Sequence, residues 1–167
     1  MRCVYVTPLL SGNNSTVTPQ SSSLTSPENE VLAQVIDLDL FTTGSDLPDE
    51  DLYQQGRALA KAGEYEWALQ VLAAIENQND PRVLNYTGYS NRKAGRLEIG
   101  ITYYRKALAI DPNFVLAREY LGEGYVAAGR IDLAKLELNE IKARAGTGSE
   151  EYRDLAKAID TGVVATD

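Results

Sequence analysis

From Asp49 to Ala145, small and apolar residues recur at i, i+3, i+4 and i+7 along three successive stretches, the spacing of one face of an α-helix. The stripes are Leu52, Gln55, Gly56 and Leu59, then Leu84, Thr87, Gly88 and Asn91, then Arg118, Leu121, Gly122 and Tyr125. Each is followed by a second stripe: Ala68, Leu72 and Ile75; Gly100, Tyr104 and Ala107; Ala134, Leu138 and Ile141. Between the two members of each pair stands a Gly (Gly63, Gly95 or Gly129), seven residues after the Gly of the first stripe. This pattern predicts three helix-turn-helix units, 49–80, 81–114 and 115–145. Their starts are 32 and then 34 residues apart, a period that makes the chain a short solenoid. A mid-helix Gly costs about 1 kcal/mol relative to Ala, so Gly56, Gly88 and Gly122 are expected where the paired helix approaches closely. Pro81 is expected to open the first helix of the second unit, and Asp111-Pro112 to stop its second.

After the break at residues 145–149 a last helix is expected over 150–160. Glu150 and Glu151 stand at its positive end, and Tyr152, Leu155, Ala156 and Ile159 form its one apolar stripe. A helix apolar on one side is what a solenoid needs to close an exposed end. Residues 161–167 are a short tail.

Ahead of the units, residues 1–27 are rich in Ser, Thr, Asn, Gln and Pro from Ser11 onward and cannot bury enough apolar surface to offset ordering entropy. They are expected to be a tether. Residues 28–48 are an arm in which Val31, Leu32, Val35 and Ile36 keep helical spacing while Leu38 and Leu40 alternate with Asp37 and Asp39. Its apolar side chains need a cover. The arm is expected either to cap the first unit permanently or to dock along the units until a partner displaces it.

The net charge of −8 is unevenly placed: residues 1–50 hold one base against seven acids, and residues 51–167 hold 15 bases against 17 acids. An acidic chain without a basic run is repelled by phosphate backbones, so no nucleic-acid partner is expected. The single Cys (Cys3) rules out an internal disulfide, and the absence of His removes the commonest zinc ligand and the commonest catalytic base. No metal and no cofactor is expected. The acidic clusters Asp37/Asp39 and Asp49/Glu50/Asp51 lack the spacing of a calcium loop. No nucleophile elbow or phosphate-binding Gly loop is present, so no enzyme is expected. No apolar run approaches the roughly 18 residues of a membrane span. As written the chain is expected in the cytoplasm, or in the periplasm or envelope if a leader segment has been removed.

The residues from Gly88 through Ala94-Gly95-Arg96 to Tyr103-Tyr104-Arg105-Lys106-Ala107-Leu108-Ala109-Ile110-Asp111-Pro112-Asn113 resemble tetratricopeptide repeats of bacterial type. Gly122-Glu123-Gly124-Tyr125, Ala128-Gly129-Arg130 and Ala134 repeat the pattern, as do Gly56, Ala62-Gly63-Glu64-Tyr65 and Ala68. The resemblance covers about residues 49–160. It departs in a first unit two residues short, in Asn91 where a large apolar residue is usual, and in Gly100 for the usual Ala. It implies an all-α solenoid of three repeats with a C-terminal capping helix. The implied role is a protein-interaction adaptor that binds a peptide or partner helix in its concave groove. Repeats that clamp chaperone tails use Lys, Asn and Arg where Tyr53, Arg57, Tyr86, Leu116 and Tyr120 stand here, so that partner is disfavoured. A Cys-Gly-x-x-Cys element of some bacterial relatives would fall on Ala145 and Ser149, which cannot form it.

By helical spacing the concave face comprises Tyr53, Arg57 and Lys61 in the first unit, Asn85, Tyr89, Arg92 and Lys93 in the second, and Glu119 and Glu123 in the third. Two basic, tyrosine-bearing units followed by an acidic one suit a protein or peptide ligand, an acidic or C-terminal peptide among them. The alternatives are an ordinary solvated helix face, with the chain a scaffold that self-associates into a homo-oligomer, or an accessory factor of the envelope or of secretion.

Overall fold

In the computed structural model, residues 47–164 are described, and every regular element among them is an α-helix. The helices are α1 (Asp49–Lys61), α2 (Tyr65–Ala73), α3 (Pro81–Lys93), α4 (Leu97–Ile110), α5 (Val115–Ala127), α6 (Ile131–Ala145) and α7 (Glu150–Thr161). The tether and the arm up to residue 46 lie outside the described residues. Leu47 already packs on the core. Helices α1/α2, α3/α4 and α5/α6 form three stacked hairpins, and α7 packs on both α5 and α6. The capped three-unit solenoid expected from the spacing is the architecture observed.

Local signals set the helix ends. The Asp80 carboxylate accepts the Arg82 backbone N–H at 2.8 Å with Pro81 in the first turn, and the Ser149 hydroxyl accepts from Tyr152 N at 3.2 Å. Between α3 and α4, Gly95 takes φ +84°, a left-handed conformation that a side chain disfavours, and Gly63 and Gly129 repeat it. The short first unit has its own device. Its α2 runs nine residues against 14 in α4 and 15 in α6. Beyond its end, Gln78 Nε2 donates to the carbonyls of Leu72 and Ile75 at 3.0 and 2.6 Å, and the Asp49 carboxylate accepts from the backbone of Glu76 and Asn77. Side chains thus complete what a longer helix would have supplied.

The mid-helix glycines are the points of closest approach. A Cβ on Gly56 would stand 2.7 Å from Leu72, and one on Gly88 would stand 2.8 Å from the Tyr104 ring. Gly122 departs from the expectation: what it faces is Leu155 of the capping helix, not its paired α6. Gly100, the departure from the repeat pattern, lies against backbone, with a virtual Cβ 2.8 Å from the Gly88 carbonyl. Backbone cannot swing aside as a side chain can. Gly100→Ala is therefore expected to destabilise by about 1–3 kcal/mol through overpacking, despite about 1 kcal/mol regained in helix propensity. A urea titration beside the wild type reads this directly, and a stabilised variant would refute the close crossing.

The core runs the length of the stack through Leu59, Leu72, Val83, Ile101, Leu121, Ile141 and Leu155. Exposed ion pairs join equivalent turns of neighbouring units: Arg82–Glu50 at 2.9 Å, Arg96–Glu66 at 2.6 Å and Arg130–Glu98 at 2.6 Å. Such pairs contribute about 0–1 kcal/mol each, so they mark register more than they hold the stack. The third residue of α2, α4 and α6 (Trp67, Ile99 and Leu133) is exposed in every unit, Trp67 at 44%. Among the described residues no helix is long and apolar enough to cross a membrane.

Candidate functional site

Helices α1, α3 and α5 stand in a row, and their shared side carries a continuous run of tyrosine rings. Tyr53 meets Tyr86 edge-on at 6.0 Å between centroids, Tyr86 lies 6.1 Å from Tyr89, and Tyr89 lies 5.2 Å from Tyr120. Tyr104 from α4 continues the run at 6.0 Å from Tyr120. These are the tilted and edge-to-face geometries in which a ring pair adds about 0.5–1.5 kcal/mol beyond its buried area.

Cations clasp this ladder. Arg57 Nε donates to the Tyr86 hydroxyl at 3.0 Å, which raises the arginine's pKa further. Lys61 Nζ donates to the Tyr120 hydroxyl at 3.0 Å while standing 5.0 Å from the centre of the Tyr89 ring. Lys93 Nζ lies 5.5 Å from the same ring. A cation within about 6 Å of an aromatic face is held by the ring quadrupole. Arg57 and Lys61 keep their outer surfaces exposed, and Lys93 is half-buried.

The remaining residues named from the spacing sit deeper. Tyr53, Arg92 and Glu119 are buried, as are Tyr89 at 2% and Glu123 at 4% exposure. Arg92 and Glu123 come together in an ion pair at 2.7 Å, and Arg92 Nε also donates to the Tyr104 hydroxyl at 3.2 Å. Gly124 makes room for Ile101, because a Cβ there would stand 3.1 Å from that side chain. Burial works against the charge on Arg92, but Tyr104 and Glu123 more than offset it and the guanidinium's pKa is raised. Asn85 is fully buried with neither its Nδ2 nor its Oδ1 hydrogen-bonded, and the Ser90 hydroxyl on the next turn is equally unpaired. So the structure links Tyr53, Arg57, Lys61, Tyr89, Arg92, Lys93 and Glu123 through the tyrosine rings and hydroxyls. It makes Arg57, Lys61 and Lys93 the accessible cations and Arg92–Glu123 an internal tie.

Spacing alone left out Tyr86, Tyr104 and Tyr120 as members of this ladder. A signal existed: Tyr53, Tyr86 and Tyr120 recur 33 and 34 residues apart, the period of the units.

Burial pushes the Tyr104 phenol up to about 12, against the opposing pull of Arg92. A raised folded-state pKa means that the stabilisation is fully present below the unfolded value near 10 and is lost as pH climbs from about 10 to about 12. Unfolding titrations through that window are expected to show stability falling in the wild type and a shallower fall in Tyr104→Phe. Parallel curves would exclude Tyr104 as the group responsible.

No family model and no curated protein matches the chain by sequence. Solved structures match its fold. The type III secretion chaperone SycD of Yersinia enterocolitica, in complex with a peptide of the translocator YopD, superposes with a TM-score of 0.57 at 19% identity, covering 68% of this chain and 87% of that one. MamA from residue 41 to its end, from Desulfovibrio magneticus RS-1, gives 0.61 at 21% identity over 74% and 70%. A type III secretion complex from Aeromonas hydrophila gives 0.57 at 19% identity over 81% and 92%. The likeness establishes the fold: a tetratricopeptide-like helical solenoid.

Proposed function

We propose that the chain is a protein-interaction adaptor that holds a peptide or partner helix on the tyrosine face of α1, α3 and α5. The observation that carries this reading is the cation-clasped ladder itself. The rings are buried and hold Arg57, Lys61 and Lys93 in place, and Arg and Lys grip carboxylates, so the face supplies preorganised charge selection. That SycD, with the same fold, has been solved with a translocator peptide supports it. The ligand class is acidic: the charges the face leaves accessible are Arg57, Lys61 and Lys93, whereas Arg92, Glu119 and Glu123 are buried.

The test is capture from the source organism's lysate by the full chain, by Arg57→Glu/Lys61→Glu and by Lys157→Glu, a charge reversal on exposed α7. A partner held on the inner face is expected to fall about tenfold or more with the double variant and to remain with the α7 variant. Equal capture by all three would refute the assignment. The exposed series Trp67, Ile99, Leu133, with Leu136 beside it, favours a second reading, self-association into a scaffold. Sedimentation of Leu136→Lys against wild type separates the two, since only a scaffold loses mass at high concentration when that series is charged.

A further inference from the structure

The inner face already has an acidic, apolar ligand within reach. We propose that the segment Glu28–Phe41 of this same chain docks on the tyrosine face and competes there with the external partner, an inference that rests on that face being the binding face. Two observations converge on it.

The first is charge. The segment Glu-Asn-Glu-Val-Leu-Ala-Gln-Val-Ile-Asp-Leu-Asp-Leu-Phe carries four acids and no base. The accessible charges of the face are Arg57, Lys61 and Lys93, all cationic. Residues 51–167 are nearly neutral overall, with 15 bases against 17 acids, so this cluster of cations is where an acidic segment is drawn.

The second is reach. The described chain begins at Leu47, packed on the core at the N-terminus of α1. The six residue steps from Leu47 back to Phe41 span at most about 20 Å. The 13 residues of α1 rise about 20 Å, so the segment can return along the whole first helix. A linker this short gives an effective concentration of order 1 mM. A docking constant of only about 10 µM as a separate peptide then leaves the segment about 99% docked.

Hydrogen exchange on the full chain tests this. Amides of residues 31–41 in the wild type are expected to exchange about 100-fold slower than an unstructured chain. Protection is expected to collapse in Arg57→Glu/Lys61→Glu and to survive in Lys157→Glu. It is also expected to collapse in Asp37→Lys/Asp39→Lys, which leaves every residue of the solenoid unchanged and so guards against a variant that simply misfolds. Coil-like exchange of residues 31–41 in the wild type overturns the docking while leaving the partner reading intact. Protection that survives every variant overturns the assigned face. With docking established, Asp37→Lys/Asp39→Lys should capture the partner about tenfold better than wild type, and unchanged capture overturns the competition.

Discussion

Glu123→Gln is expected to lower the unfolding free energy by about 3–5 kcal/mol at neutral pH, far more than any exposed charge removal in the chain. Arg92 and Glu123 retain only 5% side-chain exposure each, and their contact at 2.7 Å joins α3 of the second unit to α5 of the third. Neutralising the carboxylate leaves a buried guanidinium whose remaining partner is the Tyr104 hydroxyl and whose surroundings are rings. Volume and shape hardly change with Gln, so the loss reports charge. Glu98→Gln is the matching control, because its partner Arg130 is 43% exposed and the pair lies in water, where about 0–1 kcal/mol is at stake. A double Arg92→Met/Glu123→Met variant is expected to recover most of the loss, since an apolar pair of similar size avoids the desolvation cost that the ions carry. Denaturant midpoints for the four proteins decide the matter. Equal losses for Glu123→Gln and Glu98→Gln would show that the inner pair is hydrated.

The solenoid was legible because its signals are local. Gly63, Gly95 and Gly129 need a left-handed backbone whatever surrounds them, and the stripes around Gly56, Gly88 and Gly122 report a packing face within one helix. What could not be read is set by contacts between distant residues. The brevity of α2 depends on Gln78 reaching back to Leu72 and Ile75, and nothing in the α2 sequence itself announces it. The glycine of the third unit faces α7 because the stack ends there, whereas the same residue type in the other units faces its own hairpin partner. The candidate site divides in the same way. Helical spacing placed nine residues on one side of three helices. The depth of that side is set by contacts between units, such as Lys61 of α1 reaching Tyr120 of α5, 59 positions away. Contacts between units are written in no single stripe. Hence Asn85, Arg92 and Glu123, polar residues that spacing alone leaves on a solvated face, lie buried.

Leu155→Ala is expected to cost about 2–5 kcal/mol at the C-terminal end and to release α7 before the rest of the chain unfolds. Leu155 is wholly buried against Gly122, and only Ala158 shares its depth within α7. Truncating a leucine in the middle of a core leaves a cavity that the surrounding structure must tolerate. Here the surroundings on one side are a single helix with few other buried residues, so detaching it competes with keeping the cavity. The loss therefore saturates near the docking energy of α7. Two measurements separate the outcomes. Hydrogen exchange should show protection lost over residues 150–161 in Leu155→Ala while α3 and α4 stay protected, and the denaturant transition should broaden as the end frays ahead of the stack. A sharp two-state transition, with α7 and α3 losing protection together, would mean that the capping helix is part of one cooperative unit with the inner face. In that case Gly122 and Leu155 would couple the end of the solenoid to the tyrosine ladder, since Gly122 lies on α5 beside Leu121 and two residues from Tyr120.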